Sequence, residues 1–214
     1  MRIVCLDLEG VLIPEVWISV AERTGIEELR LTTRDIPDYD VLMRRRLAIL
    51  DQHGLGLAQI QDVIGTMQPM DGAKVFLDGL RARFQLIILS DTFAEFAAPF
   101  MRQLGQPTIF CHSLDVESGG RIAGYRLRMP DAKRNAVRAL HGLNFHVVAA
   151  GDSYNDTAML GEADAGILFR APPNVIKEFP QFPHVESYDA LGAEMPYKLD
   201  RMGTKERCDI TSSR

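Results

Sequence analysis

The chain has 214 residues, of which 46% are hydrophobic and 25% charged, a composition that suits one globular domain carrying a smaller inserted unit. Its net charge of −5 disfavours nucleic acid or an anionic membrane as the main partner, and no apolar stretch reaches the ~18 residues needed to span a bilayer. The first residues lead into an apolar strand and not a signal peptide, and the three cysteines form no metal or redox motif, so we expect a cytoplasmic protein.

The first predicted strand, over about residues 2–8, is followed by a long helical stretch before the next strand begins. Three helices are predicted in this stretch, one opened by Pro14, one over residues 37–53 and one over residues 57–67. A further helix over residues 72–83 leads into a strand over residues 85–89, so the alternation of helix and strand resumes near residue 71. The pattern therefore predicts an insertion over residues 14–70.

Helices and strands alternate again through the second half of the chain. The predicted elements are a helix over 92–104, a strand over 108–111, a hairpin over 114–127 turning at Gly119-Gly120, a helix over 132–140, a strand over 146–150, a helix over 154–161 and a strand over 165–169. Such alternation predicts an α/β fold, a Rossmann-like, mostly parallel sheet sandwiched by helices. We expect residues 1–13 and 71–196 to form this core, residues 14–70 a small helical cap, and residues 197–214 a disordered polar tail.

Polar side chains follow the ends of separate apolar runs. Residues 3–6 are followed by Asp7, residues 86–89 by Ser90 and Asp91, and residues 147–150 by Gly151-Asp152. Because the carboxyl ends of parallel strands meet at one edge of an open sheet, these side chains are expected to outline one polar crevice. The carboxylate of Asp7 is ionised at neutral pH and could attack phosphorus without a partner base, although an Asp at a strand end also commonly caps a turn.

Asp152 and Asp156 are the candidate metal ligands. Mg²⁺ takes oxygen ligands and would relieve the repulsion between an attacking carboxylate and a phosphate. The alternative is an ordinary helix start, where acidic side chains favour the helix dipole. Asn155 could reach a substrate or order the loop.

Ser90 and Lys133 are candidate phosphate contacts. The backbone amides of Asp91, Thr92 and Phe93 are predicted at the start of a helix, where amides bind phosphate oxygens, but Ser90 could equally be a helix cap. Lys133 is predicted in the first turn of its helix, where a cation opposes the helix dipole unless an anion compensates. The alternative is that Lys133 is an ordinary solvated lysine.

Arg46 falls on the inward, apolar face of its predicted helix. Leu42, Arg46 and Leu50 form one row at a spacing of four residues, beside Met43 and Leu47. An arginine pointing inward needs an anionic partner, either a substrate carboxylate or a protein carboxylate.

The ordered set of these residues resembles the four motifs of the haloacid dehalogenase-like phosphohydrolase superfamily. The motifs are Asp7-Leu8-Glu9-Gly10-Val11, then Ser90, then Lys133, then Gly151-Asp152 with Asp156. The resemblance implies that Asp7 is a nucleophile forming an aspartyl-phosphate, and that Ser90 and Lys133 hold the phosphoryl oxygens. It also implies a Mg²⁺ cofactor held by Asp7, Asp152 and the backbone carbonyl of Glu9, with Asp156 bound to the ion or behind it.

Within this superfamily the chain is most similar to phosphoserine phosphatases. In those enzymes a Glu and an Arg of the cap clamp the amino acid, and Glu15 and Arg46 occupy matching places. The family usually has Asp two residues after the nucleophile, as general acid and base, whereas this chain has Glu9. This variant motif, and the string Thr33-Arg34-Asp35-Ile36-Pro37-Asp38-Tyr39-Asp40, look like a bacterial subgroup that also transfers the phosphoryl group to homoserine.

Other functions fit the sequence less well. A kinase would need a phosphate loop Gly-x-x-x-x-Gly-Lys-Ser/Thr and a dinucleotide-binding domain a Gly-x-Gly-x-x-Gly turn after the first strand, and neither is present. A receiver-type signalling module, which accepts phosphate on a strand-end Asp, and a phosphatase of another small phosphomonoester stay as alternatives. The insertion and Glu9 favour turnover over storage of the phosphoryl group.

Overall fold

The structure is a computed structural model that describes residues 1–32, 35–36 and 38–195. Its strands are β1 (Arg2–Leu6), β2 (Gln85–Phe93), β3 (Ile109–Val116), β4 (Ile122–Arg126), β5 (His146–Gly151), β6 (Ala165–Phe169) and β7 (His184–Val185). Within the described residues they form one sheet in the order β4-β3-β2-β1-β5-β6-β7, in which only β4 runs antiparallel to its neighbour. The expected mostly parallel α/β fold is confirmed.

Helices connect most of these strands. They are α1 (Val16–Thr24), α2 (Tyr39–Gln52), α3 (Leu57–Gly65), α4 (Ala73–Arg81), α5 (Ala94–Gln103), α6 (Ala132–Gly142), α7 (Thr157–Glu162) and α8 (Pro173–Glu178). Short 3-10 turns cover Glu27–Arg30 and Tyr154–Asp156, and residues 188–195 are helical. Among the described residues, no helix combines the length and the apolar character that a membrane crossing requires.

Strand β1 lies at the centre of the sheet and is buried on both faces. Val4 and Leu6 belong to a core shared with α1 to α5, whereas Ile3 and Cys5 face a second core under α6, α7 and α8. Successive side chains of a strand point to opposite faces, so a continuous apolar run is what a strand covered on both sides requires. The chain order also reverses at β1, which places a crevice beyond its carboxyl end.

The second strand is longer than the sequence predicted. Strand β2 continues to Phe93, and the helix expected from Thr92 begins only at Ala94. The placement of the amides at a helix start was therefore wrong: the chain stays extended here, and the register between β2 and β3 shifts between Leu89 and Phe93. The predicted tail and residues Thr33, Arg34 and Pro37 of the motif string lie outside the described residues.

The helical stretch between β1 and α4 is fastened to the core at both ends and at its side. The amide of Met70 donates to the carbonyl of Leu12 at 3.0 Å, so the chain leaves and re-enters the core at one place. The hairpin of β3 and β4 supports α2 and α3 from the side, where Arg121 forms a two-pronged ion pair with Asp51 at 2.7 and 2.9 Å. These contacts keep α1 and α2 beside the carboxyl ends of the strands.

Candidate active site

The chain turns sharply after β1 and leaves Asp7 in the crevice. The amide of Asp7 donates to the carbonyl of Ala150 at 2.9 Å, and one carboxylate oxygen accepts from the amide of Leu8 at 2.7 Å. Gly10 has φ of +72°, and a Cβ there would lie 2.4 Å from the carboxylate of Asp152. Only glycine fits this turn, which brings the loop after β1 against the loop after β5.

A buried lysine joins the ends of the strands. The Nζ atom of Lys133 lies 2.7 Å from Asp156, 2.9 Å from Asp7 and 3.6 Å from Asp91. Burial alone would lower the pKa of Lys133, but the charges of Asp156, Asp7 and Asp91 outweigh burial and raise it well above its usual value. Lys133 is therefore a permanent cation inside the crevice and not a solvated surface residue.

The carboxylates of Asp7, Asp152 and Asp156 each offer an oxygen within 4.8 Å of the others. Asp156 is fully buried, and one of its oxygens accepts from the amides of Asp152 and Ser153 at 3.0 and 3.1 Å while the other meets Lys133. Asp156 thus holds the loop and the lysine in place. Of these three acids, Asp7 and Asp152 line the cavity.

This group of acids has an excess of negative charge. Burial raises the pKa of Asp152 to about 7, and the charges of Asp156 and Glu15 add to the shift. Burial, together with the charge of Asp156, also raises the pKa of Asp7 well above its usual value despite Lys133. A divalent cation would stabilise the ionised forms, and carboxylate oxygens are ligands that suit Mg²⁺, so the residues present fit such an ion.

Glu9 lies on the same loop, two residues beyond Asp7. One of its carboxylate oxygens accepts from the amide of Val16, the first residue of α1, at 2.9 Å. Burial raises the pKa of Glu9 to about 7, with the charge of Glu15 as the next cause. A carboxyl group with this pKa can both donate and accept a proton near neutral pH.

The opposite wall of the cavity comes from β2 and β3. Ser90 is buried, and its hydroxyl oxygen accepts from the amide of Thr92 at 3.2 Å. Asp91 accepts from the side-chain amide of Asn155 at 3.1 Å, and its other oxygen lies 3.6 Å from Nε2 of buried His112. Although burial would raise the pKa of Asp91, Lys133 and these hydrogen bonds hold it below its usual range.

Helices α1 and α2 supply the remaining wall, around a cavity of about 590 Å³. Arg46 is only 6% exposed, and burial lowers its pKa to about 10. It donates to the carbonyl of Leu31 at 2.8 Å, and among the described residues its Nε has no hydrogen-bond partner. A buried guanidinium that lines a cavity and has an unused donor is suited to bind a carboxylate that enters from outside.

The structure brings the residues singled out from the sequence together. Those that line the cavity are Asp7, Glu9, Glu15, Arg46, Ser90, Asp91, Lys133, Asp152 and Asn155, and Asp156 contacts Lys133 behind them. Sequence reasoning missed Trp17, Tyr39 and His112, which also line it. The sequence pattern could have identified His112, because this polar residue follows an apolar strand run, just as Asp7 does. No comparable pattern marks Trp17 or Tyr39.

Known relatives share most of this chain. It is 62% identical over 194 residues to "Phosphoserine phosphatase ThrH" of Pseudomonas aeruginosa, covering 91% of this chain and 95% of that protein. It is 63% identical to a "Phosphoserine phosphatase" of Pseudomonas syringae pv. tomato, covering 91% and 82%. A solved apo phosphoserine phosphatase has the same fold, with a TM-score of 0.71 at 21% identity, covering 87% of this chain and 94% of that one.

The segments that carry Asp7, Ser90, Lys133 and Asp152 all lie within residues that match one family. The profile of the haloacid dehalogenase-like hydrolases matches residues 1–164, which contain the loops after β1 and β5, the end of β2 and the helix that carries Lys133. Together with the identity to the Pseudomonas proteins, this match decides the classification. The chain belongs to the haloacid dehalogenase-like hydrolases.

Proposed function

We propose that this protein is a Mg²⁺-dependent phosphomonoester hydrolase that acts on O-phospho-L-serine through an aspartyl-phosphate on Asp7. The observation that carries the proposal is one cavity in which Asp7 contacts the buried Lys133, and which is also lined by Arg46 of α2, whose Nε has no hydrogen-bond partner among the described residues. The first group suits a phosphoryl ester and the second a carboxylate. The names of the Pseudomonas relatives agree with this substrate.

In the first step, a carboxylate oxygen of Asp7 attacks phosphorus and the bond from phosphorus to the serine oxygen breaks. Glu9 in its protonated form gives its proton to the departing oxygen, so that serine leaves as a neutral alcohol. Lys133 and the hydroxyl of Ser90 hold the phosphoryl oxygens, with the ammonium of Lys133 opposing their negative charge.

In the second step, water attacks the aspartyl-phosphate. Glu9, now ionised, takes the proton of the attacking water, phosphate leaves and the carboxylate of Asp7 is restored. Asp7 and Asp152 would hold Mg²⁺, with the backbone carbonyl of Glu9 as a further ligand and Asp156 behind. Bound there, the ion neutralises charge between the acids and the phosphate.

Residues 14–70 act in this proposal as the cap that selects the substrate. Arg46 binds the carboxylate of phosphoserine, and Glu15, which lines the same cavity, binds its ammonium group. The side-chain amide of Asn155 donates to the carboxylate of Asp91 at 3.1 Å. In this proposal Asn155 thereby holds Asp91 in the cavity wall beside the phosphoryl group. A cytoplasmic location is proposed as well, in keeping with the free thiols of Cys5 and Cys111 among the described residues.

The aspartyl-phosphate also supports transfer to another hydroxyl. Homoserine carries the same carboxylate and ammonium groups as serine and is longer by one methylene, and a cavity of about 590 Å³ has room for it. We therefore propose that the hydroxyl of homoserine can replace water in the second step, giving O-phosphohomoserine.

The first test is phosphate release from O-phospho-L-serine. We expect activity that chelation with EDTA abolishes and Mg²⁺ restores, and a loss of about 10³-fold or more for Asp7→Asn, because the amide cannot accept the phosphoryl group. Rapid quenching and mass spectrometry should find the phosphoryl group on Asp7 in the wild type. A phosphoprotein that persists without phosphate release would instead indicate a receiver-type module.

The second test concerns Glu9. Glu9→Gln should lower kcat/KM for phosphoserine by about 10²-fold or more, because the serine oxygen then leaves without a proton. The loss should be much smaller for p-nitrophenyl phosphate, whose leaving group needs no proton. Equal losses for both substrates would contradict the role of Glu9 as general acid. Glu9→Asp is the control variant that keeps a carboxyl group at this position.

The third test concerns Arg46. Arg46→Met should lower kcat/KM for O-phospho-L-serine by about 10- to 100-fold, since a charge-assisted hydrogen-bonded pair is lost, and leave O-phosphoethanolamine, which has no carboxylate, nearly unchanged. Arg45→Met, on the exposed side of the same helix, is the matched control. Equal kcat/KM values of the wild type for O-phospho-L-serine and O-phosphoethanolamine would show that the cap does not recognise the carboxylate of the substrate.

The fourth test concerns transfer. With phosphoserine as donor, added homoserine should yield O-phosphohomoserine, detected by ³¹P NMR, while Asp7→Asn yields none because both products share one intermediate. Phosphate as the only product at saturating homoserine would limit the function to hydrolysis.

A further inference from the structure

Trp17 lines the substrate cavity but has no part in the chemistry proposed above. It is the only tryptophan of the chain and lies in the first turn of α1. The guanidinium carbon of Arg46 lies 4.5 Å from the centre of its ring. This distance is within the range of a cation–π contact.

The other contacts of Arg46 leave its guanidinium weakly fixed. One terminal nitrogen donates to the carbonyl of Leu31 at 2.8 Å, and the other lies 3.8 Å from the sulfur of Met43, a weak acceptor. Within the described part of the chain, Nε has no hydrogen-bond partner. The ring of Trp17 therefore offers a flat surface that limits how the guanidinium can turn.

Trp17 is itself braced against the sheet. Its ring meets Phe96 edge to face at 5.4 Å and 73°, and Phe96 meets Phe93 at 5.7 Å and 90°. Phe93 ends β2, three residues after Ser90. A row of aromatic rings thus connects the strand that carries Ser90 with the arginine on α2, and aromatic rings at these distances pack with defined geometry.

We propose that Trp17 is a positioning residue that gives the enzyme its preference for substrates with a carboxylate, by holding the guanidinium of Arg46 at a fixed distance from the phosphoryl site. The inference rests on the proposed function, in which Arg46 binds the carboxylate of phosphoserine. Without the ring, the guanidinium would keep its charge but lose its orientation, so carboxylate binding would weaken while phosphoryl chemistry would not.

The test compares O-phospho-L-serine with O-phosphoethanolamine. Trp17→Leu should lower kcat/KM for phosphoserine by about tenfold, mainly through KM, and change the value for phosphoethanolamine by less than about twofold. Trp17→Phe, which keeps a ring, should fall between wild type and Trp17→Leu. Phe84→Leu is the matched control, because it removes a ring that Arg83 covers at 5.1 Å outside the cavity.

The double variant Trp17→Leu/Arg46→Met distinguishes a failure of this inference from a failure of the role proposed for Arg46. If Trp17 acts through Arg46, the double variant should show the same substrate ratio as Arg46→Met alone. A ratio lowered by Arg46→Met but not by either Trp17 variant would overturn this inference and leave the proposed function intact. A ratio unaffected by Arg46→Met would overturn the carboxylate-binding role of Arg46 in the proposed function, on which this inference rests. Equal losses for both substrates in the Trp17 variants would show a merely structural role.

Fluorescence gives a readout that does not depend on turnover or on a substitution of Trp17. In Asp7→Asn protein, the emission of the single tryptophan should change when O-phospho-L-serine binds and stay nearly constant with O-phosphoethanolamine. Arg46→Met in the same background should remove the difference. An identical emission change with both ligands would contradict the proposed coupling between the ring, the guanidinium and the carboxylate.

Discussion

The buried ammonium of Lys133 is the charge on which the arrangement of the site depends. It contacts Asp7 after β1, Asp91 in β2 and Asp156 after β5, so one cation joins the ends of three neighbouring strands. A buried ion pair that loses one partner leaves an uncompensated charge, which costs about 3–5 kcal/mol. The lysine and the acids therefore require each other, and their contacts connect α6 to the strand ends at this edge of the sheet.

One ammonium does not balance the surrounding acids. The raised pKa values of Asp7 and Asp152 show that these carboxylates are held in an environment that disfavours their ionised forms. A phosphate would add negative charge, so a bound cation and a phosphorylated substrate are favoured together. The opposite imbalance occurs at Arg46, a buried cation whose Nε has no hydrogen-bond partner within the part of the chain that the structure describes. A phosphoamino acid has a group for each of these unsatisfied charges.

The sequence was sufficient to predict a mostly parallel sheet, the crevice and most of the polar residues in it, but not the short edge strand β7. Apolar runs that end at Asp7, Ser90 and Asp152 mark buried parallel strands, and parallel topology brings their ends together regardless of sequence separation. The extension of β2 to Phe93 was not predictable, because it depends on a register shift against β3. Trp17 was also missed, since an aromatic residue in an amphipathic helix has the same pattern whether it packs in a core or faces a cavity.

The hydrogen bond between Met70 and Leu12 closes the helical stretch into a loop whose two ends meet on the core. A segment anchored in this way can lengthen, shorten or be replaced without changing the spacing of the strands, because the distance between its attachment points stays the same. In the proposed function, recognition of the organic part of the ester and transfer of phosphorus therefore fall to separate parts of one chain. Exchange of the helices would then change the substrate while the carboxylates of the crevice stay in place.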